Sequence, residues 1–330
     1  MRKKLSSRSK NLGHFSALGF YIILGYFFYL ASSNMNYTWR WSGVPKYFAY
    51  EQTFDIQAPI DGKLIKFKNH FYIQGKNTDN RGNEKVTKIK LKNLDSSYKL
   101  EFKSGDAVYE GDSIAMKTTL KAGPIIWGLW TTVEVSFFGA LIAFFIANIV
   151  AFMKLSSSYF LKDVATVYIT IIRGTPLLVQ IFLFYFLVAN IFELKTTVAG
   201  ILALGIFYGA YISEVLRGAI QSIDKGQSEA SLSLGISKFQ NMRHIILPQA
   251  FKRALPTLVG EVIALLKDSS LISVISITDL TKVGREIIAS TFSPFETWIV
   301  IALLYLCLTS ILSFIGHLLE KRMLKKGGIN

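Results

Sequence analysis

The chain has 330 residues, of which 51% are hydrophobic, and it carries a formal net charge of +15 at pH 7. Nucleic-acid-binding proteins concentrate their basic residues on one solvated face, whereas these basic residues lie in alternate connections between apolar runs, so no nucleic-acid partner is expected. The single cysteine, Cys307, excludes an intrachain disulfide and a cysteine metal cluster, and no metal site is predicted.

Six mostly apolar runs recur along the chain, and about 20 helical residues are enough to cross the hydrocarbon core of a membrane. The runs show no polar face at a period of 3.6 residues, which argues against a large soluble helical protein. They cover residues 15–31, 125–152, 177–192, 197–216, 255–277 and 297–316. We therefore predict an all-α polytopic membrane protein.

The distribution of Lys and Arg predicts the orientation of these spans. Basic residues lie at 2–10, at Lys154 and Lys162, and at 217–253 and 321–326, on one side of the alternation, and the opposite short connections contain few. The positive-inside rule places these segments and both chain termini in the cytoplasm. The predicted location of the protein is the inner membrane of the cell. Residues 1–33 fit either a cleaved signal peptide or a retained signal anchor, and the length of the apolar run favours the anchor.

Residues 34–123 differ from the rest, because short alternating runs separated by turn residues predict a small antiparallel β domain. Long loops are translocated largely regardless of charge, so we place this domain outside the cytoplasm. Residues 58–64 and 104–115 resemble the two halves of a barrel-sandwich hybrid, the lipoyl-like module also found in membrane-fusion adaptors. An unspecialised β insert is the open alternative.

A polar island follows the fourth apolar run, with the pattern Glu-Ala-Ser-x3-Gly-x9-Ile-x-Leu-Pro at residues 229–248. Gly235 permits a left-handed turn at the end of a short helix, and Pro248 suits the first turn of the next helix, where no amide donor is needed. The pattern predicts a compact helix-turn-helix knob on the cytoplasmic face.

The island resembles the EAA loop of ABC-transporter permease subunits, which docks on the ATPase subunit; Ser231 replaces the usual second alanine. Residues 173–180, 209–220 and 265–271 resemble the polar amino-acid uptake permeases of the histidine/glutamine type. The resemblance covers about residues 125–324 and implies the type I ABC importer transmembrane fold, with five core helices plus an N-terminal helix here. We predict four segments: a cytoplasmic N-terminus and signal-anchor helix (1–33), the extracytoplasmic β domain (34–123), the permease domain (124–324) and a cytoplasmic tail (325–330).

The chain contains no G-x4-G-K-[ST] phosphate loop and no enzyme motif, so we predict a transporter subunit without a cofactor of its own. ATP and Mg would belong to a partner. The resemblance implies ABC ATPase subunits, a second permease subunit in a homo- or heterodimer, an extracytoplasmic substrate-binding protein and a polar amino acid as substrate.

Two groups of site residues are predicted. The ATPase-coupling group is Glu229, Ala230, Ser231, Gly235, Ile245, Leu247 and Pro248. Ionisable residues within spans are functional candidates, and the substrate pathway is assigned to Arg173, Thr175, Gln180, Tyr211, Glu261, Lys267, Asp268, Ser269 and Ser270. The alternative is that Lys267 and Asp268, and Glu214 and Arg217, merely pair with each other or bind at the ATPase interface.

Two other functions are open. One is a membrane-anchored envelope adaptor or scaffold that uses the β domain to bind a partner. The other is an ion-driven secondary transporter, but such a protein would not need an EAA-type knob.

Overall fold

The computed structural model describes residues 18–27, 29–30, 33, 37–67, 70–78, 84–91 and 98–325. The predicted cytoplasmic N-terminus up to residue 17 and the predicted tail beyond residue 325 lie outside the described residues. The chain divides into two compact units, with the boundary between Trp41 and Ser42. The first unit contains a short apolar helix, α1 (Leu18–Phe27), within the predicted anchor.

The second unit begins with a short helix, α2 (Pro45–Phe48), and then forms two antiparallel sheets. The strands are β1 (Ala49–Gln57), β2 (Gly62–Phe67), β3 (His70–Thr78), β4 (Glu84–Lys90), β5 (Lys99–Leu100), β6 (Ala107–Val108) and β7 (Ser113–Ala122). One sheet has the order β1-β7-β5 and the other β4-β3-β2-β6. Leu64, Ile73 and Ile114 are fully buried and form the core of this β region.

The two segments that resemble a barrel-sandwich hybrid contact each other. Strand β2 pairs with β6, with Gly62 opposite Val108. Gly105 and Gly111 have φ angles of +106° and +92°, which side chains disfavour, and each glycine precedes an aspartate in a turn. The short strand β6 lies between these two turns, as the Gly-Asp repeat at an interval of six residues predicts.

The remainder of the described chain is helical. The elements are α3 (Pro124–Leu155), α4 (Tyr159–Gly174), α5 (Leu177–Leu183) with a π-helical continuation (Phe184–Ala189), α6 (Thr196–Gln221), α7 (Lys225–Ser233), α8 (Lys238–Asn241) with a π-helical continuation (Met242–Ile246), α9 (Leu247–Asp268) followed by a 3-10 helix (Ser269–Ile275), α10 (Leu280–Thr291) and α11 (Pro294–Lys325). Helices α3 and α6 pack closely, because a Cβ at Gly205 would lie only 2.5 Å from Ile142 Cγ2. Small residues thus set the distance between these two helices.

The candidate membrane spans differ from the predicted six. Within the described residues, α3, α6 and α11 are long and apolar enough to cross a membrane, and α4 with α5 forms a fourth candidate only as a pair bent by 107°. The predicted run 177–192 is therefore the second arm of a bent pair. The predicted run 255–277 is not one helix: α9 ends at Asp268, and charged residues such as Glu261 and Lys267 lower its mean hydropathy.

The β sheets are fixed directly to the helices through α2. Tyr47 is buried among apolar residues of α3, α10 and α11, and its hydroxyl shares a hydrogen bond of 3.0 Å with Ser293 Oγ. Gly123 lies between β7 and α3 and donates its amide to the Phe48 carbonyl at 2.6 Å. A Cβ at Gly123 would collide with the Tyr47 carbonyl, so only glycine allows this close approach. The root of the β region is therefore held against one end of the helical bundle.

Candidate functional site

A compact knob, defined as residues 224–248, joins α6 to α9. Asp224 begins α7 by accepting a hydrogen bond from the Gly226 amide at 2.7 Å. Gly235 reverses the chain after α7 with a φ of +80°. Ser237 and Gln240 then form a reciprocal capping box at the start of α8. Each turn of the knob is fixed by a local interaction or by a glycine.

The interior of the knob contains two buried polar side chains. Asn241 is 6% exposed and donates from Nδ2 to Ser228 Oγ at 2.6 Å, which ties α8 to α7. Ser231 is 4% exposed and donates its hydroxyl to the Ser228 carbonyl at 2.9 Å. The hydroxyl that replaces the usual alanine methyl is therefore satisfied within its own helix.

The surface of the knob carries large apolar side chains that the sequence analysis did not single out. Leu234 and Phe239 are 81% and 71% exposed. They are flanked by exposed charged residues, among them Glu229, Lys238 and Arg243. An apolar patch with a charged rim is typical of a protein-protein docking surface.

The knob is attached to the bundle at its base. Ile223, Ile246 and Ala250 form a buried apolar cluster, and the Arg253 guanidinium donates to the Ser222 carbonyl. A force on the knob is therefore applied to α6 and α9. Of the predicted coupling residues, Glu229, Ala230, Gly235 and Pro248 are exposed, Ile245 and Leu247 are half-buried, and Ser231 is buried.

A row of polar side chains lies within the bundle, where α4, α6 and α9 meet. Tyr208 donates its hydroxyl to Asp268 Oδ2 at 2.7 Å. The ring of Tyr211 lies 6.3 Å from that of Tyr208, and the Arg173 guanidinium lies over the Tyr211 ring at 5.0 Å from its centroid. The row presents a guanidinium at one end and a carboxylate at the other, which are the groups needed to bind the carboxylate and ammonium of an amino acid.

Gln180 and Thr175 hold the bend between α4 and α5. Gln180 is 4% exposed, and its Nε2 donates to the Ile172 carbonyl at 2.8 Å and to Thr175 Oγ1 at 2.7 Å. Thr175 in turn donates its hydroxyl to the Ile171 carbonyl at 2.9 Å. These two predicted pathway residues shape the bend beside Arg173.

The other predicted pathway residues are placed differently. Glu261 lies close enough to Arg173 for their charges to interact. Ser269 is fully buried and donates to the Leu266 carbonyl at 2.8 Å, Ser270 is half-buried, and Lys267 is exposed. These last three form no hydrogen bond to the row within the described chain.

Of the two ion pairs considered as alternatives to a pathway role, only one is present in the structure. Glu214 and Arg217 do form an ion pair, with 2.7 Å between Oε2 and Nη2. Asp268 forms its hydrogen bond with Tyr208 instead of an ion pair with Lys267. Sequence analysis missed Tyr208, although its spacing of three residues from Tyr211 places both on one face of α6 and could have revealed it.

Residues 124–325 match the protein family described as "Binding-protein-dependent transport system inner membrane component". This match covers more than half of the chain and includes the knob and the polar row. The chain belongs to this family. Residues 1–123, with the seven strands of the described residues, lie outside the match.

Named relatives of this inner membrane component are permeases. The glutamine transport system permease protein GlnP of Escherichia coli (strain K12) is 39% identical over 202 residues, which cover 60% of this chain and 92% of that protein. The nopaline transport system permease protein NocM of Agrobacterium fabrum (strain C58 / ATCC 33970) is 38% identical over 201 residues, covering 58% and 83%. A crystal structure of an amino acid ABC transporter with histidines shares 40% identity and a TM-score of 0.56, covering 60% of this chain and 94% of that chain.

Membership in the binding-protein-dependent permease family confirms the resemblance found in the sequence. The chain is a permease subunit of an ABC importer, and its relatives are transporter subunits rather than enzymes. The interpretation as an envelope adaptor is not supported. The helical part has the type I importer fold of the family.

Proposed function

We propose that this chain imports polar amino acids, with the knob coupling it to a separate ATPase. The observation that supports the coupling is the surface of the knob, which exposes the apolar side chains of Leu232, Leu234 and Phe239. The helices that carry these side chains begin at the capping residues Asp224 and Ser237. The substrate class is supported by the charged ends of the polar row and by relatives named for glutamine and nopaline transport.

In this proposal, ATP and Mg bind to two ATPase subunits that close on each other. Each subunit would move one knob, and the attachment of the knob to α6 and α9 would carry the movement into the bundle. Two permease subunits are needed to enclose a pathway between them, as a homodimer or as a heterodimer. The bundle would then alternate between inward-facing and outward-facing arrangements.

The proposed orientation places the knob in the cytoplasm. Basic residues concentrate at the knob end of the helices, as the positive-inside rule requires, and Lys154, Arg217 and Arg253 are among them. Exposed tryptophans, Trp127 and Trp130, lie in the first turns of α3 at the opposite end, where aromatic side chains favour a membrane interface. The β region, which we propose is barrel-sandwich-like, would then lie outside and receive a substrate-binding protein.

Within the membrane, the row gives each end of an amino acid a partner. The substrate carboxylate would bind the Arg173 guanidinium, and its ammonium would bind the Asp268 carboxylate, with Glu261 adding negative charge nearby. Tyr208 positions the Asp268 carboxylate through their hydrogen bond.

The test is ATP-driven uptake of labelled glutamine and other polar amino acids by proteoliposomes that contain this chain with its ATPase. Phe239→Ser is expected to weaken ATPase binding and uptake together. Phe292→Ser is the matched control, because Phe292 is 75% exposed but lies outside the knob. Asp268→Asn is expected to reduce uptake while leaving ATPase binding unchanged. Normal uptake by the Phe239→Ser variant would contradict the proposed coupling, and normal uptake by Asp268→Asn would contradict the proposed pathway.

A further inference from the structure

A polar hollow of about 550 Å³ lies between the ends of α3, α4 and α6 on the knob side of the bundle. Lys154 of α3, Lys162 and Thr166 of α4, and Glu214 and Arg217 of α6 contribute to its lining. No member of the polar row lines it, so it is separate from the proposed substrate pathway.

The hollow has more positive than negative charge. The Arg217 guanidinium is paired with the Glu214 carboxylate at 2.7 Å. Lys154 donates from Nζ to the hydroxyl of Thr166 at 2.6 Å, and the Lys162 ammonium lies 5.7 Å from the centroid of a neighbouring tyrosine ring. Neither lysine has a carboxylate within ion-pair distance in the described part of the chain. Glu214, the one carboxylate that lines the hollow, is already paired with Arg217 and also lies close enough to Lys154 for their charges to interact. The hollow thus has three cationic groups against one carboxylate, and this excess of positive charge favours an anion.

The hollow extends into the helices and is bordered by apolar surface. Thr166 and Thr170 lie seven and eleven residues after the first residue of α4, hence about 10 and 16 Å along the helix axis. Val164, Val167 and Ile171 of the same helix are 43%, 57% and 57% exposed. A ligand that satisfies both surfaces has an anionic group and an apolar tail.

We propose that this hollow binds the phosphate of an anionic phospholipid headgroup, with its acyl chains along the exposed apolar face of α4. Lys154 and Lys162 donate to the phosphate oxygens, and the Thr166 and Thr170 side chains border the headgroup. Basic pockets between membrane helices recognise anionic headgroups by the same electrostatics. Arg217 lies in the last two turns of α6, just before the knob, so a bound lipid would stabilise the end of α6 to which the knob is attached.

The experiment measures lipid binding to the full-length chain in an uncharged detergent. Native mass spectrometry counts bound dioleoylphosphatidylglycerol and, separately, dioleoylphosphatidylcholine during titration. The Lys154→Gln/Lys162→Gln variant is expected to bind phosphatidylglycerol about 25-fold more weakly, from roughly fivefold for each lysine near an anionic surface. The matched control, Lys238→Gln/Lys252→Gln, removes two lysines on the same side of the bundle but outside the hollow and is expected to bind as the wild type does.

Further measurements distinguish a lipid headgroup from a soluble anion and allow for a variant that does not fold. Inorganic phosphate at millimolar concentration is added without lipid, and thermal stabilisation by phosphate without selective phosphatidylglycerol binding would overturn the lipid assignment in favour of a soluble anion. Lys154→Arg/Lys162→Arg retains the charge and is expected to retain binding. If the glutamine variant does not fold, lipid binding to the wild type is measured instead. The proposal is overturned if phosphatidylglycerol binding does not weaken with added salt, or if it does not exceed phosphatidylcholine binding. Loss of ATPase binding by the glutamine variant with unchanged lipid binding would instead assign the lysines to a carboxylate of the partner protein.

Discussion

The sharpest test of the knob is the substitution Gly235→Ala. Gly235 has a φ of +80°, and a Cβ added there would meet no atom within 4 Å, so the substitution creates no steric clash outside its own backbone. An alanine in the left-handed region costs about 1–2 kcal/mol relative to its preferred conformations. The turn between α7 and α8 would therefore relax to other conformations, and the population of the docking-competent knob would fall roughly 5- to 30-fold.

Two other substitutions isolate the backbone effect. Gly235→Asn is expected to restore most of the loss, because asparagine adopts the left-handed region more readily than alanine. Gly218→Ala is the matched control: its Cβ also meets nothing within 4 Å, but Gly218 lies within α6, where alanine is favoured over glycine by about 1 kcal/mol. It is expected to leave coupling unchanged.

The assay titrates the purified ATPase subunit onto each variant and measures ATP-driven uptake in parallel. Gly235→Ala is expected to weaken ATPase affinity roughly 5- to 30-fold and to lower uptake. The thermal unfolding temperature of the helical bundle is expected to stay the same. Unchanged affinity in Gly235→Ala, or an equal loss in Gly218→Ala, would refute the argument that a left-handed turn presents the docking surface.

Three further predictions concern stability. Tyr47→Phe removes the hydroxyl that bonds Ser293 and is expected to lower the free energy of unfolding by about 1 kcal/mol and to speed hydrogen exchange in α10. Gly205→Ala places a Cβ 2.5 Å from Ile142 and is expected to cost about 1–3 kcal/mol, measured by denaturant titration in detergent, with Gly218→Ala as the control. Burial raises the pKa of Asp279 above the ordinary aspartate value of 3.8, so its contribution to stability declines as the pH rises above that value towards the raised pKa. Asp279→Asn, which can still cap α10, is expected to remove this part of the pH dependence, and an unchanged pH profile of thermal unfolding would contradict the assignment.

The fold was predictable where a single local signal decides the structure. Continuous apolar runs identified α3, α6 and α11, because a helix with no polar face needs an apolar environment on all sides. The turn at Gly235 followed from the conformational preferences of glycine. The helix start expected at Pro248 was wrong, because the helical backbone that begins at Lys238 continues through a π-helical segment into α9. The interruption after Arg173 follows from Gly174 and Pro176, but its angle of 107° depends on how Leu177 and Ile181 pack against other elements, which no local pattern specifies.

The polar row was predictable only in part. Arg173, Tyr211 and Asp268 were identified because charged and hydrogen-bonding groups within apolar helices are costly and therefore functional candidates. The link between Tyr208 and Asp268 spans 60 residues of sequence and exists only through the packing of α6 against the end of α9. The hollow beside Lys154 was missed for the same reason, since its lining comes from three helices.

The β region and the knob lie at opposite ends of a continuous path of rigid elements. Strand β7 leads through Gly123 directly into α3, and the tight approach of Gly123 to Tyr47 leaves no room for a flexible joint there. Helix α3 then packs against α6 at Gly205 with almost no space between the backbones, and α6 ends where the knob begins. Close-packed contacts of this kind transmit displacement because they cannot deform continuously. A movement of the knob that tilts α6 must therefore either break the contact of α6 with α3 at Gly205 or move α3 together with the attached end of the β sheets. Moving α3 with the β sheets disrupts less packed surface.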